Sequence, residues 1–254
     1  MTKFIGIIPA RYASSRFPGK PLADICGMTM IERVYKRASQ ELDEVVVATD
    51  DERIREDVER FGGKVIMTSP DHKSGTDRVN EAYHLSGSDA DVIINIQGDE
   101  PFVAPSQIRE LKKCFNYPET RIATLARLFD KSFGFDALFD PNKVKVIFNN
   151  QNRAIYFSRA IIPYVRGAEW QKWLDLREFY IHVGMYAYRA EVLDALTKLP
   201  QSSLELAESL EQLRWIENGY EIMIGTTDEP TIGIDTPEDL EEAIRFCKSH
   251  ENVD

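Results

Sequence analysis

The sequence predicts an α/β fold, a mainly parallel sheet flanked by helices, and three observations carry that expectation. Short, almost wholly apolar runs alternate with longer segments of helical spacing up to about residue 120. The runs are β-branched and lack the polar alternation of a half-exposed strand, which marks strands covered on both faces. The polar segments that follow them lie where an open parallel sheet binds its ligands, beyond the carboxyl ends of the strands.

The elements follow in order. Phe4–Ile8 is the first strand and runs into Pro9. Met30–Leu42 has apolar Ile31, Val34, Tyr35, Ala38 and Leu42 at helical spacing. Val45–Ala48 is the second strand, Asp51–Phe61 a charged helix with Ile54, Val58 and Phe61 on one face, and Val65–Met67 a third strand. Thr76–Leu85 reads as a helix, Val92–Ile96 as a strand and Ser106–Phe115 as a helix. Beyond about residue 120, Ile122–Leu128, Val144–Phe148, Ala154–Phe157 and Val183–Tyr188 read as strands with fewer helices between them. They suggest a mixed extension of the sheet, with a lobe rich in Tyr, Trp and Arg between Tyr156 and Tyr188. Ser203–Asn218 is expected to be one helix, stopped by Gly219. Thr236–His250 is expected to be the last, with Thr236 as its cap, Pro237 in the first turn and acids at its positive end. With no internal repeat or long linker, residues 1–254 read as a single domain, with the extension at about 120–200 inside it.

Composition narrows the function. A chain of 254 residues, 43% hydrophobic, can bury one large core or a main domain with a smaller lobe. A net charge of -11 argues against nucleic acid and against an anionic membrane surface. It does not forbid a phosphate ligand, because a few local cations and a metal can reverse the field inside a cleft. Cys26, Cys114 and Cys247 form no CxxC and read as small buried residues or free thiols in a reducing compartment. Phe4–Ile8 is too short for a signal segment and no apolar stretch reaches the ~18 residues of a membrane span, so a cytoplasmic location without membrane insertion is expected.

Five segments offer chemistry. The run Pro9-Ala10-Arg11 through Arg16-Phe17-Pro18-Gly19-Lys20 places small residues and three cations in the loop after the first strand. Such a loop can wrap a triphosphate with backbone N–H groups and neutralise it; the alternative is a solvated basic turn. It is neither a Walker A loop nor a dinucleotide fingerprint. In Ile94-Asn95-Ile96-Gln97-Gly98-Asp99-Glu100-Pro101 a buried strand ends in an amide, a glycine and two acids. Asp99 is placed to hold a divalent cation, since Mg²⁺ takes one or two carboxylates plus phosphate oxygens and waters; a hairpin or helix-capping acid is the alternative. Asp235, after Thr231–Ile234, is a candidate second carboxylate or a turn acid before the last helix. Ser74-Gly75-Thr76-Asp77-Arg78 can offer backbone groups and hydroxyls to a base edge, or can be a helix start capped by Ser74 or Thr76. Arg159, Arg166, His182, Tyr186, Glu208 and Glu211 form a dispersed set able to grip a sugar acid. Within it the arginines can equally be surface charges and His182 a core histidine.

Taken together, IIPARYASSRFPGKPL, VATDDE, MTSPDHKSGTDR, INIQGDEP, DPNKVKV, YFSRAIIPY, HVGMYAYR, LEQLR and IDTPEDL resemble the 3-deoxy-manno-octulosonate (Kdo) cytidylyltransferases, in that order and from Ile7 to Leu240. The resemblance implies a Rossmann-like nucleotidyltransferase fold with a smaller dimerisation and sugar-binding lobe, and a homodimer. It implies transfer of CMP from CTP to the anomeric hydroxyl of Kdo, with release of pyrophosphate, as a step of lipopolysaccharide biosynthesis. It implies catalytic roles for Arg11, Lys20, Asp99 and Asp235, with Mg²⁺ on the two aspartates. CTP would meet Ala10, Arg11, Arg16, Lys20, Ser74, Gly75, Thr76, Arg78 and Gln97. Kdo would meet Gln97, Arg159, Arg166, His182, Tyr186 and Glu211. Asp77 stands where many members carry Glu, and Tyr12 and Phe17 vary in the family's basic loop. A close relative acting on 8-amino-Kdo shares SGTDR, so CMP transfer to that sugar or another acidic sugar is the alternative, with a non-catalytic nucleotide-binding protein behind it.

Overall fold

The parallel strands of the first half are laid side by side by the same physics: apolar, largely β-branched residues that must be covered. The computed structural model describes residues 2–13 and 16–250. The chain divides into two units, Met1–Ile108 with Thr231–Asp254, and Arg109–Pro230.

The first unit runs β1 (Phe4–Ala10), a small hairpin of β2 (Asp24–Ile25) and β3 (Met28–Thr29), α1 (Met30–Ala38), β4 (Val45–Thr49), α2 (Glu52–Arg60), β5 (Val65–Met67), α3 (Gly75–Ser86) and β6 (Val92–Asn95). Helix α4 (Pro105–Lys113) carries the chain into the second unit. Strand β1 pairs in parallel with β4 and with β6, and β4 in parallel with β5, giving the order β6-β1-β4-β5. Every residue of β4 and β6 is buried, as fully covered parallel strands require. The helices start where short polar side chains accept their free N–H groups. Thr29 accepts from Glu32 N–H, Asp51 from Arg53 N–H, and Ser74 from Asp77 N–H. The alternation of strand and helix matches the expectation. Helix α1 is shorter than expected: it ends at Ala38, and Leu42 is buried from the turn beyond it. The Ser39 hydroxyl donates to the Tyr35 carbonyl at 2.9 Å there, a local bond that competes with the helix ladder.

The second unit continues with β7 (Ile122–Leu128), β8 (Lys145–Phe148), β9 (Ala154–Ser158), the single turn α5 (Trp173–Leu176), β10 (Tyr180–Arg189), α6 (Ala190–Leu196), α7 (Ser203–Glu208), α8 (Gln212–Glu217) and β11 (Ile222–Thr227). Strand β7 pairs in parallel with β11 and antiparallel with β10; β10 pairs antiparallel with β8, and β8 with β9. This is the mixed sheet expected beyond residue 120. After residue 230 the chain returns to the first unit and ends in α9 (Pro237–His250).

Three expectations need correction. The 203–218 segment is two helices, because Ser209 takes a left-handed conformation (φ 52°) between them. Strand β10 begins at Tyr180, three residues before the predicted start, and is irregular against β7 between Val183 and Tyr186. Residues 231–235, an apolar run by sequence, form a loop. The break between α7 and α8 brings Arg214 back onto Glu205. Its Nε donates to one carboxylate oxygen at 2.8 Å and its Nη2 to the other, and both residues are under 10% exposed. Burial alone would raise the Glu205 carboxyl, but the Arg214 guanidinium outweighs it and holds the group below the usual carboxylate range.

A depressed carboxylate contributes stability above its unfolded pKa and loses it as pH falls through the folded one. Glu205→Ala is therefore expected to cost about 3–5 kcal/mol at pH 7, by stranding a buried guanidinium. In urea titrations the gap from the parent protein narrows below about pH 4. A variant as stable as the parent at pH 7 would contradict this account.

Candidate active site

The carboxyl ends of β1, β4, β5 and β6 release four loops, and the polar residues of three of them line one cleft. It measures about 500 Å³ and is bounded by Pro9, Ala10, Arg11, Ala13, Arg16, Lys20, Pro21, Gly75, Arg78, Gln97, Gly98, Asp99 and Asp235. All of these belong to the first unit. Seven of the nine positions expected at the nucleotide are here: Ala10, Arg11, Arg16, Lys20, Gly75, Arg78 and Gln97.

The loop after β1 turns back on itself through Gly19, which sits at φ 75° and donates its N–H to the Tyr12 carbonyl at 2.8 Å. A Cβ at Gly19 would lie 3.0 Å from the Tyr12 ring, and the Arg53 guanidinium stacks on that ring at 3.3 Å from its centroid. Lys20 then points into the cleft. Its Nζ donates to Asp99 Oδ2 at 2.8 Å, to the Ile234 carbonyl at 2.9 Å and to Asp235 Oδ1 at 3.1 Å. The Arg16 guanidinium lies 3.0 Å from the other Asp235 oxygen. Burial alone would lower the Lys20 ammonium, but Asp99 and Asp235 outweigh it and hold it above its usual value.

The acids arrive from the two separate stretches of chain that make up the first unit. Strand β6 delivers Gln97, Gly98 and Asp99. A Cβ on Gly98 would come within 2.8 Å of the Pro9 carbonyl oxygen, so only glycine lets this loop lie against the β1 exit. The segment before α9 delivers Asp235, and it is fastened where the Ile234 N–H donates to the Asp99 carbonyl at 2.9 Å. Asp239 accepts from the N–H groups of Asp235 and Thr236 while Thr236 Oγ1 accepts from the Asp239 N–H, so Thr236 caps α9 as expected. Glu100, beside Asp99, is pushed up to about 7 by its burial and by the Asp99 charge.

Ser74 and Thr76 do not line the cleft. Ser74 Oγ accepts from Asp77 N–H at 3.1 Å in a capping box, and Thr76 is buried. Arg78 reaches the cleft from beneath. It is 1% exposed, its Nη1 donates to Thr68 Oγ1 at 2.6 Å and lies 3.3 Å from Asp50, and its Nη2 is buried without a hydrogen-bond partner. A buried, unpaired donor at a cleft wall is costly unless a ligand accepts from it.

The sugar candidates other than Gln97 belong to the second unit. His182 packs between the rings of Phe157 and Tyr186, its Nε2 lies 3.0 Å from Thr124 Oγ1, and burial pushes it down to about 3, so it is neutral. Burial raises the Tyr186 hydroxyl. Arg159 donates to three carbonyls, of Glu208, Pro141 and Ser209, which leaves one N–H on each terminal nitrogen for a ligand. Both Glu208 oxygens accept bonds at the end of β9, from Ser158 Oγ and Arg159 N–H. Glu211 lies 3.9 Å from the Arg214 guanidinium, and Arg166 is exposed on the loop after β9.

A sequence-family model described as cytidylyltransferase matches residues 5–222. The 3-deoxy-manno-octulosonate cytidylyltransferase of Parabacteroides distasonis is 60% identical over 97% of this chain and 98% of its own. The chain belongs to the 3-deoxy-manno-octulosonate cytidylyltransferase family. Its fold is accordingly the Rossmann-like nucleotidyltransferase fold. A solved structure of CMP:2-keto-3-deoxy-manno-octonic acid synthetase complexed with CTP is 43% identical and superposes with a TM-score of 0.89, covering 98% of this chain and 99% of the other. The 8-amino-3,8-dideoxy-manno-octulosonate cytidylyltransferase of Shewanella frigidimarina is 47% identical over 98% of each chain.

Beyond the motifs quoted for this cytidylyltransferase family, the structure adds residues that sequence reasoning passed over. Asp50 backs Arg78, and the TDDE run offered it without a reason to choose it. Lys145 is wholly buried, its Nζ donating to the Asp140 carbonyl at 3.1 Å, and burial lowers its ammonium. Its place between valines in DPNKVKV was the available signal. The Gln212 amide nitrogen and the Trp215 indole nitrogen are buried without hydrogen-bond partners on α8.

Gly98→Ala is expected to force the β6 loop away from Pro9, costing about 1–3 kcal/mol of stability and lowering kcat at least tenfold. Thermal melts and steady-state rates check it; parental values for both would show that the close approach is dispensable.

Proposed function

We propose that this cytidylyltransferase transfers CMP from CTP to the anomeric hydroxyl of Kdo, releasing pyrophosphate. The observation that carries the proposal is the meeting of Asp99 and Asp235 at the Lys20 ammonium, in a cleft walled by Arg11, Arg16 and Arg78. A cation already sits between the two carboxylates, and their donor chemistry fits Mg²⁺, which commonly takes one or two carboxylates with phosphate oxygens and waters. Asp99 and Asp235 would hold it; when bound it supplies charge neutralisation at the phosphates and lowers the pKa of an attacking hydroxyl.

The chain's own residues supply the rest. Phosphoryl transfer needs placement and charge stabilisation more than covalent help. Arg11, Arg16 and Lys20 neutralise the triphosphate and stabilise the charge gathering on pyrophosphate as it leaves. Gly98 lets the β6 loop pack on the β1 exit and so sets where its backbone lines the cleft. The buried Nη2 of Arg78 donates to the nucleotide, while the N-terminal turn of α3 offers Gly75 beside it. In the second unit, the free donors of Arg159 grip the sugar carboxylate, with Arg166 contributing a second guanidinium. Neutral His182, Tyr186 and Glu211 contact its hydroxyls. The buried donors of Gln212 and Trp215 add to this set.

The acidic relatives of Kdo are separated by one experiment. Pyrophosphate release from CTP is measured with Kdo, 8-amino-Kdo and N-acetylneuraminate, with and without Mg²⁺. The proposal predicts the highest kcat/KM with Kdo and loss of turnover on chelation. Preference for 8-amino-Kdo would move the chain to the chemistry of the Shewanella frigidimarina relative, and CTP binding without turnover on any sugar would make it a nucleotide-binding protein. The product serves lipopolysaccharide assembly in the cytoplasm. No described helix is long and apolar enough to cross a membrane. A homodimer belongs to the same reading, since Phe133, Phe139, Tyr164, Trp170 and Leu176 are large apolar side chains left exposed on the second unit. Sedimentation at a monomer mass would remove that part.

A further inference from the structure

The loop between β5 and α3 is held by a residue that the nucleotide reading does not use. At its entry Thr68 donates its N–H to the Thr49 carbonyl at 2.8 Å and meets Arg78 through its hydroxyl. At its exit Ser74 and Asp77 form the capping box of α3. Between these anchors Glu81, in the second turn of α3, reaches back over the loop. Its Oε2 accepts from Ser69 N–H at 2.8 Å and lies 2.5 Å from His72 Nε2. On its other side the His72 carbonyl accepts from Arg11 Nη1 at 3.3 Å.

The charges follow the same line. Arg11 and Arg78 repel one another across the cleft wall, and Glu81 opposes that repulsion at Arg78 together with Asp50. Burial alone would raise the Glu81 carboxyl, but His72, the Ser69 N–H and the Arg78 charge keep it below the usual carboxylate range, so it stays an anion. One carboxylate thus fixes a loop, a carbonyl and the field around two guanidiniums. A flexible guanidinium that is already placed loses less freedom when its ligand arrives.

We propose that Glu81 is a positioning residue for the nucleotide. By holding Ser69 and His72 it fixes the carbonyl on which Arg11 rests, and so aims Arg11 and Arg78 at CTP. The inference rests on the reading of those two arginines as nucleotide contacts.

The test is steady-state kinetics on the full chain with CTP, Kdo and Mg²⁺, comparing Glu81→Ala, Glu81→Gln, His72→Phe and Arg11→Ala with the parent. Glu81→Ala, which removes both bonds, is expected to raise KM for CTP about tenfold, the equivalent of one or two hydrogen bonds, with KM for Kdo unchanged. Glu81→Gln, whose amide oxygen still accepts from Ser69 N–H, is expected to stay within about threefold of the parent. His72→Phe keeps the ring volume and the carbonyl but loses the ring bond, and is expected to show the same CTP-selective rise in smaller measure; it decides the matter if Glu81→Ala does not fold. An unchanged KM for CTP, or an equal rise for both substrates, overturns the proposal while Arg11→Ala still weakens CTP. If Arg11→Ala leaves KM for CTP unchanged, the underlying nucleotide reading fails and the proposal fails with it.

Discussion

One ammonium group organises the cleft. Lys20 Nζ bonds Asp99, Asp235 and the Ile234 carbonyl together, tying the exit of β1, the exit of β6 and the approach to α9. At an effective dielectric near 20 each such pair attracts by about 4 kcal/mol at 4 Å before desolvation. Asp235 is about half exposed and Asp99 a third, so solvent screening and the desolvation of Lys20 leave little net stabilisation. The arrangement matters for placement. Two carboxylates this close repel unless a cation lies between them, and here the Lys20 ammonium is that cation.

The rest of the first unit supports that placement. Buried parallel strands give the loops a fixed base, and Gly98 lets the β6 exit lie on the Pro9 carbonyl. The Ile234-to-Asp99 backbone bond fastens Asp235 in register, and the apolar packing of Ile234, Ala243 and Cys247 with Ile25, Met30 and Phe102 holds α9 against the hairpin. The second unit follows a different logic. Its antiparallel pairs present Tyr, His and Arg side chains, and several polar groups there are buried among aromatic rings, as around His182.

What the sequence showed depended on range. Val45–Thr49 and Val92–Asn95 were legible because continuous apolar β-branched runs have few other uses. The cleft residues were legible because the fold puts them after such runs. The break at Ser209 was not, because apolar spacing continues across it and the left-handed turn of a non-glycine residue leaves no mark in the residue pattern. Strand β11 was passed over since Ile222–Thr227 alternates weakly and gains its identity from pairing with β7. Ser74 shows how one motif can satisfy two readings: its hydroxyl is spent on the helix cap, while Gly75 and Arg78, one and four residues further on, line the cleft. Arg159 is another case. Its residue type suggested a ligand fork, but only the fold shows that three of its five N–H groups go to carbonyls and that one remains on each terminal nitrogen.

The central claim is that Asp99 and Asp235 act as one unit on one cation, and a double-mutant cycle on kcat tests it most directly. Asp99→Asn and Asp235→Asn are each expected to lower kcat by about 10²–10³-fold. The double variant is expected to fall no more than about tenfold below the weaker single one, because the second change finds the unit already broken. Losses that multiply through the cycle would mean two independent acids, and would contradict the shared site.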